Sequence, residues 1–391
     1  MKFGILFTTA SAVIVMMILS GCATSGENAF SPKPGQLSKM EATGTNPFYQ
    51  ESTLYFKYPP FDKIKNAHYA PAFGKGMAEQ LVEIEAIADQ DDAPTFENTI
   101  VAMEKSGQLL NRVATVFYSL ASAHTNDSLE SVRSEMAPKL SAHSDQILLN
   151  SKLFERIRTL YDQKTSLGLD AEAVRLVEET YKDFIRAGAN LSVDDKKRLK
   201  ALNAELATQQ TTFSQNVLKE VNDLAVVVDS REELTGLSEA MIEAAAKEAE
   251  SRDLAGKYVI TLQNTSGQPP LSSLENRALR ERIHKVSLSR GSRGGEFDNR
   301  ETFTKVIELR AKRARLLGYE NHATYILENQ TAQTTDAVNK RLADLAPASV
   351  RNANREATDL QKMIDAEGGS FMLASWDWDF YTEKVRQERY K

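Results

Sequence analysis

The stretch Arg290–Tyr325, RGSRGGEFDNRETFTKVIELRAKRARLLGYENHATY, decides how the chain is read. A basic, glycine-rich loop from Arg290 to Asn299 feeds a helix predicted to run to about Leu317. Gly318 ends it in the manner of a C-terminal glycine stop, and a second helix begins beside His322. Upstream lies a long series of amphipathic segments; downstream the chain continues to Lys391. The stretch is therefore expected to open a second domain whose chemistry lies beyond the end of the chain.

Working outward, the composition is that of an ordinary globular protein. The chain has 391 residues, 41% hydrophobic and 26% charged, enough to bury a sizeable core. Its net charge of −6 is mild, and no run of like charge suggests nucleic-acid binding. The first residues differ from the rest. Met1-Lys2 is a short positive start, Phe3–Leu19 is largely apolar, and Leu19-Ser20-Gly21-Cys22 follows. This predicts a signal peptide over 1–21 and, from the lipobox-like ending, lipidation at Cys22, the sole cysteine. An uncleaved anchor or a signal cut elsewhere is the alternative. A diacyl anchor attaches a protein to a membrane without spanning it. Ala23 rather than Asp after the cysteine points to the outer membrane of a bacterial envelope, facing the periplasm. Residues 22–45, rich in Ser, Gly, Pro, Thr and Asn, read as a flexible tether.

From Asn46 the pattern is helical. Phe73, Met77, Leu81, Ile84 and Ala88 recur at steps of four and three. Thr95 is an N-cap candidate, and one apolar stripe joins Phe96, Ile100, Met103, Leu110, Val113, Phe117 and Leu120. Asp127-Ser128-Leu129-Glu130 resembles a capping box. Helices follow over 129–142, 153–163 and 171–187, the last capped by Asp170 and stopped by Gly188. The longest expected helix runs from Ser192 to about Asn222. Leu224–Val228 and Tyr258–Leu262 are β-branched strands around a helix over 238–252 and are expected to pair as a small ribbon. A boundary is placed after Gln268, giving a lobe over 46–268 and a second domain over 269–391.

No constellation for catalysis is present. The five histidines, His68, His124, His143, His284 and His322, are never three or four apart, and neither H-E-x-x-H nor G-x-S-x-G occurs. His124 with Asp127, and His322 after Glu320, fit capping or core roles better than metal ligation. Tyr118 and Tyr181 lie on apolar stripes. The basic cluster Arg277, Arg280, Arg282, His284, Lys285, Arg290 and Arg293, with Gly291, Gly294 and Gly295, has two readings: a solvated helix face with a flexible hinge, or an anion site.

Several motifs carry a family resemblance. They are Asn46-Pro47-Phe48, Pro60-Phe61-Asp62-Lys63-Ile64, Tyr69-Ala70-Pro71-Ala72-Phe73, Thr95-Phe96-Glu97-Asn98-Thr99, Ala137–His143, Arg290–Tyr325 and Trp376-Asp377-Trp378-Asp379-Phe380-Tyr381. From about Asn46 to Lys391 the chain resembles the thimet-oligopeptidase family of zinc metallopeptidases. The resemblance implies a mainly α fold with a small β ribbon, in which two lobes flank a deep channel that admits short peptides. It implies one zinc held by an H-E-x-x-H helix and a later Glu, and release of C-terminal dipeptides. Those positions follow the Trp-x-Trp region in the family, so the expectation here is an incomplete chain, with no catalytic or metal residue before Lys391. The expected partners are short peptides and a membrane, with the protein a monomer. The alternative is a non-catalytic, peptide-binding helical lipoprotein that lacks the zinc half.

Overall fold

The computed structural model describes residues 46–262 and 268–390. The expected signal peptide, Cys22 and the tether lie outside them. The described chain is mainly helical with one two-stranded sheet. It divides into two compact units, one formed by residues 46–211 and 306–320, the other by 212–305 and 321–390.

In the first unit the opening motifs act as anchors. Asn46 caps a short 3-10 turn by accepting from Phe48 N, donates to the His68 carbonyl at 2.9 Å, and delivers the Phe48 ring into the core. Helix α1 (Tyr69–Asp89) packs on α3 (Gln108–Ala123). Tyr69 and Phe73 meet Phe117 edge-on, with centroids 5.2 and 5.3 Å apart, an arrangement the ring quadrupoles favour. A Cβ on Gly76 would sit 2.8 Å from the Leu110 backbone, so a glycine is what lets these two helices come this close.

The single stripe expected over 96–120 is broken. Phe96–Val101 forms a π-helical turn, α2 covers only Ala102–Lys105, and Gly107, at φ 71°, precedes α3. Apolar spacing survives a left-handed residue between two helices, so the stripe did not reveal the break. Helix α4 (Asp127–Leu148) is capped by Asn126, not Asp127, and runs through Pro138 well past residue 142. Helices α5 (Ser151–Gln163) and α6 (Ala171–Ala187) complete a second core of Ile84, Ile100, Leu153, Ile157, Leu160, Val177 and Phe184. Asp170 caps α6 and Gly188, at φ 101°, stops it, both as the sequence indicates. Tyr181 stacks on Tyr161 at 3.9 Å and Tyr118 packs against the first core, so both tyrosines have packing roles.

Helix α7 (Val193–Asp223) runs within one residue of its expected span. Beyond Thr211 the chain belongs to the second unit. There β1 (Val226–Val228) pairs antiparallel with β2 (Tyr258–Ile260), Val226 opposite Ile260, as expected for the ribbon. Helices α8 (Glu239–Glu250) and α9 (Arg277–Leu288) share its core through Ile242, Leu279 and Ile283. Helix α10 (Arg300–Leu316) and the short α11 (His322–Leu327), capped by Asn321, follow. Helix α12 (Thr335–Ala366) has 32 residues against 31 in α7, so the longest helix is not the one the sequence suggested. Leu360 and Ile364 near its end pack on Phe380 and Tyr381 of α13 (Trp378–Arg389).

Burial of titratable groups in the first unit gives it a pH signature. His143 is buried, its Nε2 lies 2.7 Å from Gln80 Oε1, and its Nδ1 has no hydrogen-bond partner. Desolvation holds its pKa below the ordinary value, so the folded state resists protonation more than the unfolded chain does. Stability is therefore expected to fall as pH drops below about 6.5. Replacing His143 with Gln is expected to flatten that limb in urea titrations between pH 7 and 5. An unchanged slope would contradict the assignment. His68 carries a shift of the same sign and supplies the residual slope. Asp145, whose carboxyl burial raises, acts with the opposite sign, from about pH 4 upward, in the native chain and the His143→Gln variant alike.

Candidate functional site

The basic cluster was the one feature of the sequence with two readings, and the structure bears out the solvated helix face only in part, at the exposed Arg282 and Lys285. Arg277, Arg280 and Arg293 are divided between two buried carboxylates within the second unit.

The first is Asp377, fully buried in the middle of the Trp-Asp-Trp motif. Asn276 caps α9 by accepting from Leu279 N, which places Arg277 and Arg280 three apart on one helical face. Arg277 grips both oxygens of Asp377, Nε to Oδ1 at 3.0 Å and Nη2 to Oδ2 at 2.8 Å; Arg280 Nη2 also reaches Oδ1, at 2.9 Å. The Ala374 amide adds a further bond at 3.1 Å. Arg280 Nη1 donates to the carbonyls of Leu274 and Glu275. Aromatic rings cover the assembly: the Arg277 guanidinium lies 4.1 Å from the Phe371 ring, and that of Arg280 lies 4.1 Å from Phe380. Burial pushes the Asp377 carboxyl up, but the hydrogen bonds from Arg277 and Arg280 outweigh it, and the net pKa is below the ordinary value.

The second is Glu220 near the end of α7, 1% exposed. It accepts from the Gly291 amide and from Arg293 Nε, while Arg293 Nη2 reaches Asp223 at 2.7 Å. Asn299 Nδ2 donates to the Phe213 carbonyl, and Asn216 donates to Asn299 Oδ1. Asp298 accepts from Gly294 N and pairs with Arg300, whose hydrogen bonds hold its carboxyl far below the usual range. Gly291, Gly294 and Gly295 all have positive φ, the conformation glycine adopts at no steric cost. The loop is tied at both ends, which a solvated hinge is not. Arg290 donates to Ser287, and Lys285 pairs with Glu281 on the surface of α9.

The other candidate residues are scattered. His68 Nδ1 accepts from Lys65 N, His284 lies 6.3 Å from Trp376 centroid to centroid, and His322 begins α11. Among the described residues no three His, Cys, Asp or Glu side chains group as metal ligands. The described residues do not fit the zinc that the resemblance implies, and no chemical step is assigned to them through it. The long-range pairing of Arg277 and Arg280 with Asp377 was not visible in the sequence. Its only trace was an acidic residue between two tryptophans.

Comparison with known proteins places this arrangement in context. Residues 271–391, which contain the Asp377 assembly, match the profile of Peptidase family M3. The chain is 39% identical over 346 residues to the dipeptidyl carboxypeptidase of Salmonella typhimurium, covering 88% of this chain and 51% of that protein. It is 28% identical over 339 residues to oligopeptidase A of Escherichia coli, 86% of this chain and 50% of the relative. It is 25% identical over 365 residues to a probable cytosolic oligopeptidase A of Arabidopsis thaliana, 90% and 51%. The chain thus spans about half the length of the curated relatives it matches.

These findings correct the expected localisation as an outer-membrane lipoprotein. The relatives are named as peptidases, one of them as cytosolic. Separately, no helix among the described residues is long and apolar enough to cross a membrane. The expectation stood on the Cys22 region alone, outside the described residues. With 39% identity across most of its length and the family profile over its last third, the chain belongs to peptidase family M3.

Proposed function

We propose that this chain supplies the N-terminal portion of a zinc-dependent oligopeptidase that hydrolyses short peptides and releases C-terminal dipeptides. The observation that carries this is the 39% identity, over 88% of the chain, to a protein named dipeptidyl carboxypeptidase. Zinc, when bound, supplies a polarised carbonyl and an activated water; its ligands are placed in the portion of the relatives that this chain does not span. The contribution of this chain is architectural. Asp377 fixes the Trp376–Tyr381 segment to α9 across nearly a hundred residues of sequence, and Glu220 fixes the glycine-rich loop to α7.

The test is to purify the 391-residue chain and assay it alone and together with the complementary portion of the Salmonella relative. Alone it is expected to hold no stoichiometric zinc and to release no dipeptide from a blocked tetrapeptide. Together, C-terminal dipeptide release above background is expected. Activity and one tightly bound zinc in the 391-residue chain by itself would overturn the proposal. So would a folded mixture that carries zinc but cleaves no peptide.

A further inference from the structure

Helix α12 is built like a packed helix but is packed only near its C-terminal end. From Asn339 to Glu356 every residue is exposed, a run of about 27 Å. That run contains Pro347, which removes a backbone hydrogen bond and costs a helix interior about 3 kcal/mol. In proteins most helical stability comes from tertiary burial of an apolar face rather than from propensity. The apolar face exists. Leu342, Leu345, Ala346, Val350 and Ala353 fall on one arc, and at the same phase it continues into Leu360 and Ile364. Those last two are 4% and 0% exposed against Phe380 and Tyr381, whereas Leu342, Leu345 and Val350 are 58%, 46% and 58% exposed. One stripe is thus covered at its C-terminal end and bare along the rest. Ala346, Ser349 and Ala353 along it are small enough to let another backbone come close.

We infer that the bare stripe of α12, from Leu342 to Ala353, is a docking seam for an amphipathic helix in the polypeptide that completes the M3 fold. Two observations select this occupant. The stripe continues an internal packing surface of the chain, so its cover extends the same core. The relatives also carry about as much chain again beyond the part matched here. The charged residues Lys340, Asp344 and Arg351 fall on the opposite face of the helix, so the apolar arc is the side left for a partner. The inference rests on the proposed function for the identity of the partner, but not for the existence of the bare stripe.

Hydrogen–deuterium exchange on the full 391-residue chain tests it. In the monomeric chain alone, amides 342–353 are expected to exchange within about tenfold of unfolded rates. Strong protection there would show that the helix needs no cover and would end the proposal. Adding the part of the Salmonella relative outside its match to this chain is expected to slow those amides at least tenfold. The double substitution Leu342→Asp with Val350→Asp should abolish the slowing, and Lys340→Gln, off the stripe, should leave it. Protection that instead rises with the concentration of this chain alone makes a second copy the occupant and overturns the assignment. Dipeptide release in the mixture without protection sinks the seam and leaves the function standing; protection without dipeptide release does the reverse.

Discussion

Asp377→Ala is expected to lower the unfolding free energy of the second unit by about 3–5 kcal/mol. The loss comes less from the ion pair itself than from what is left behind. Arg280 is 2% exposed, and its remaining partners, the carbonyls of Leu274, Glu275 and Trp376, carry no net charge to offset it. Asp377→Asn keeps the shape and one acceptor and should cost less than the alanine. The paired change Asp377→Leu with Arg280→Met removes both buried charges and is expected to recover much of the loss, because an apolar pair of similar volume avoids the desolvation of both ions. Urea titration followed by tryptophan fluorescence is well placed to measure this, since the two tryptophans of the chain, Trp376 and Trp378, flank the residue. A loss below about 1 kcal/mol would mean that Arg280 finds water or another partner. The linkage sign adds a second readout. The Asp377 carboxyl lies below its ordinary pKa, so its stabilisation is present above about pH 4 and fades as pH falls through the folded value. The alanine variant should lack that part of the acid limb.

Arg156→Met is expected to cost the first unit about 3 kcal/mol. Arg156 is 7% exposed and ties down the segment between α1 and the π-helical turn. It donates to the carbonyls of Asp92 at 2.9 Å and Gln90 at 3.3 Å, to Asn98 Oδ1 at 3.0 Å and to Thr99 Oγ1 at 3.3 Å. Asn98 and Thr95 meanwhile cap each other reciprocally, at 2.8 and 3.0 Å. The motif Thr-Phe-Glu-Asn-Thr is therefore a socket for one arginine nearly sixty residues downstream. Methionine fills the volume but leaves the carbonyls to find water. Arg156→Lys keeps the charge and cannot reach four acceptors, so it should recover less than half of the loss. Thermal unfolding measures the size, and faster amide exchange over 90–99 locates it. A loss confined to other segments would contradict the socket.

Much of the helical framework was legible because it is local. Helix α6 is delimited by Asp170 and Gly188, residues whose capping chemistry acts within one turn, and α7 declares itself by its leucine spacing. The ribbon was legible from two β-branched runs. The misses have physical causes of a different kind. Gly107 breaks a stripe whose apolar spacing continues on both sides, so periodicity alone passes over it. Asn126 outcompetes Asp127 as a cap by one residue, a choice settled by backbone geometry. The arginine cluster was misjudged because its partners are distant: Asp377 lies about a hundred residues from Arg277, and Glu220 about seventy from Gly291 and Arg293. A short carboxylate reached across such separations leaves no periodic trace. The proposed zinc ligands could not be found by any reading of these residues, since none of the described ones group for it.

The glycine-rich loop has a consequence for how the chain can be cut and rejoined. Its two limbs are fastened independently, Gly291 and Arg293 to Glu220, and Asn299 to the Phe213 carbonyl and Asn216. Between them Gly294, Gly295 and Glu296 are exposed, and a side chain at Gly294 or Gly295 would meet nothing within 4 Å. A nick there frees two ends that are both still riveted to the same helix. That makes the loop tip a natural place to open the chain for circular permutation, or to graft a peptide tag, without loosening either neighbouring helix.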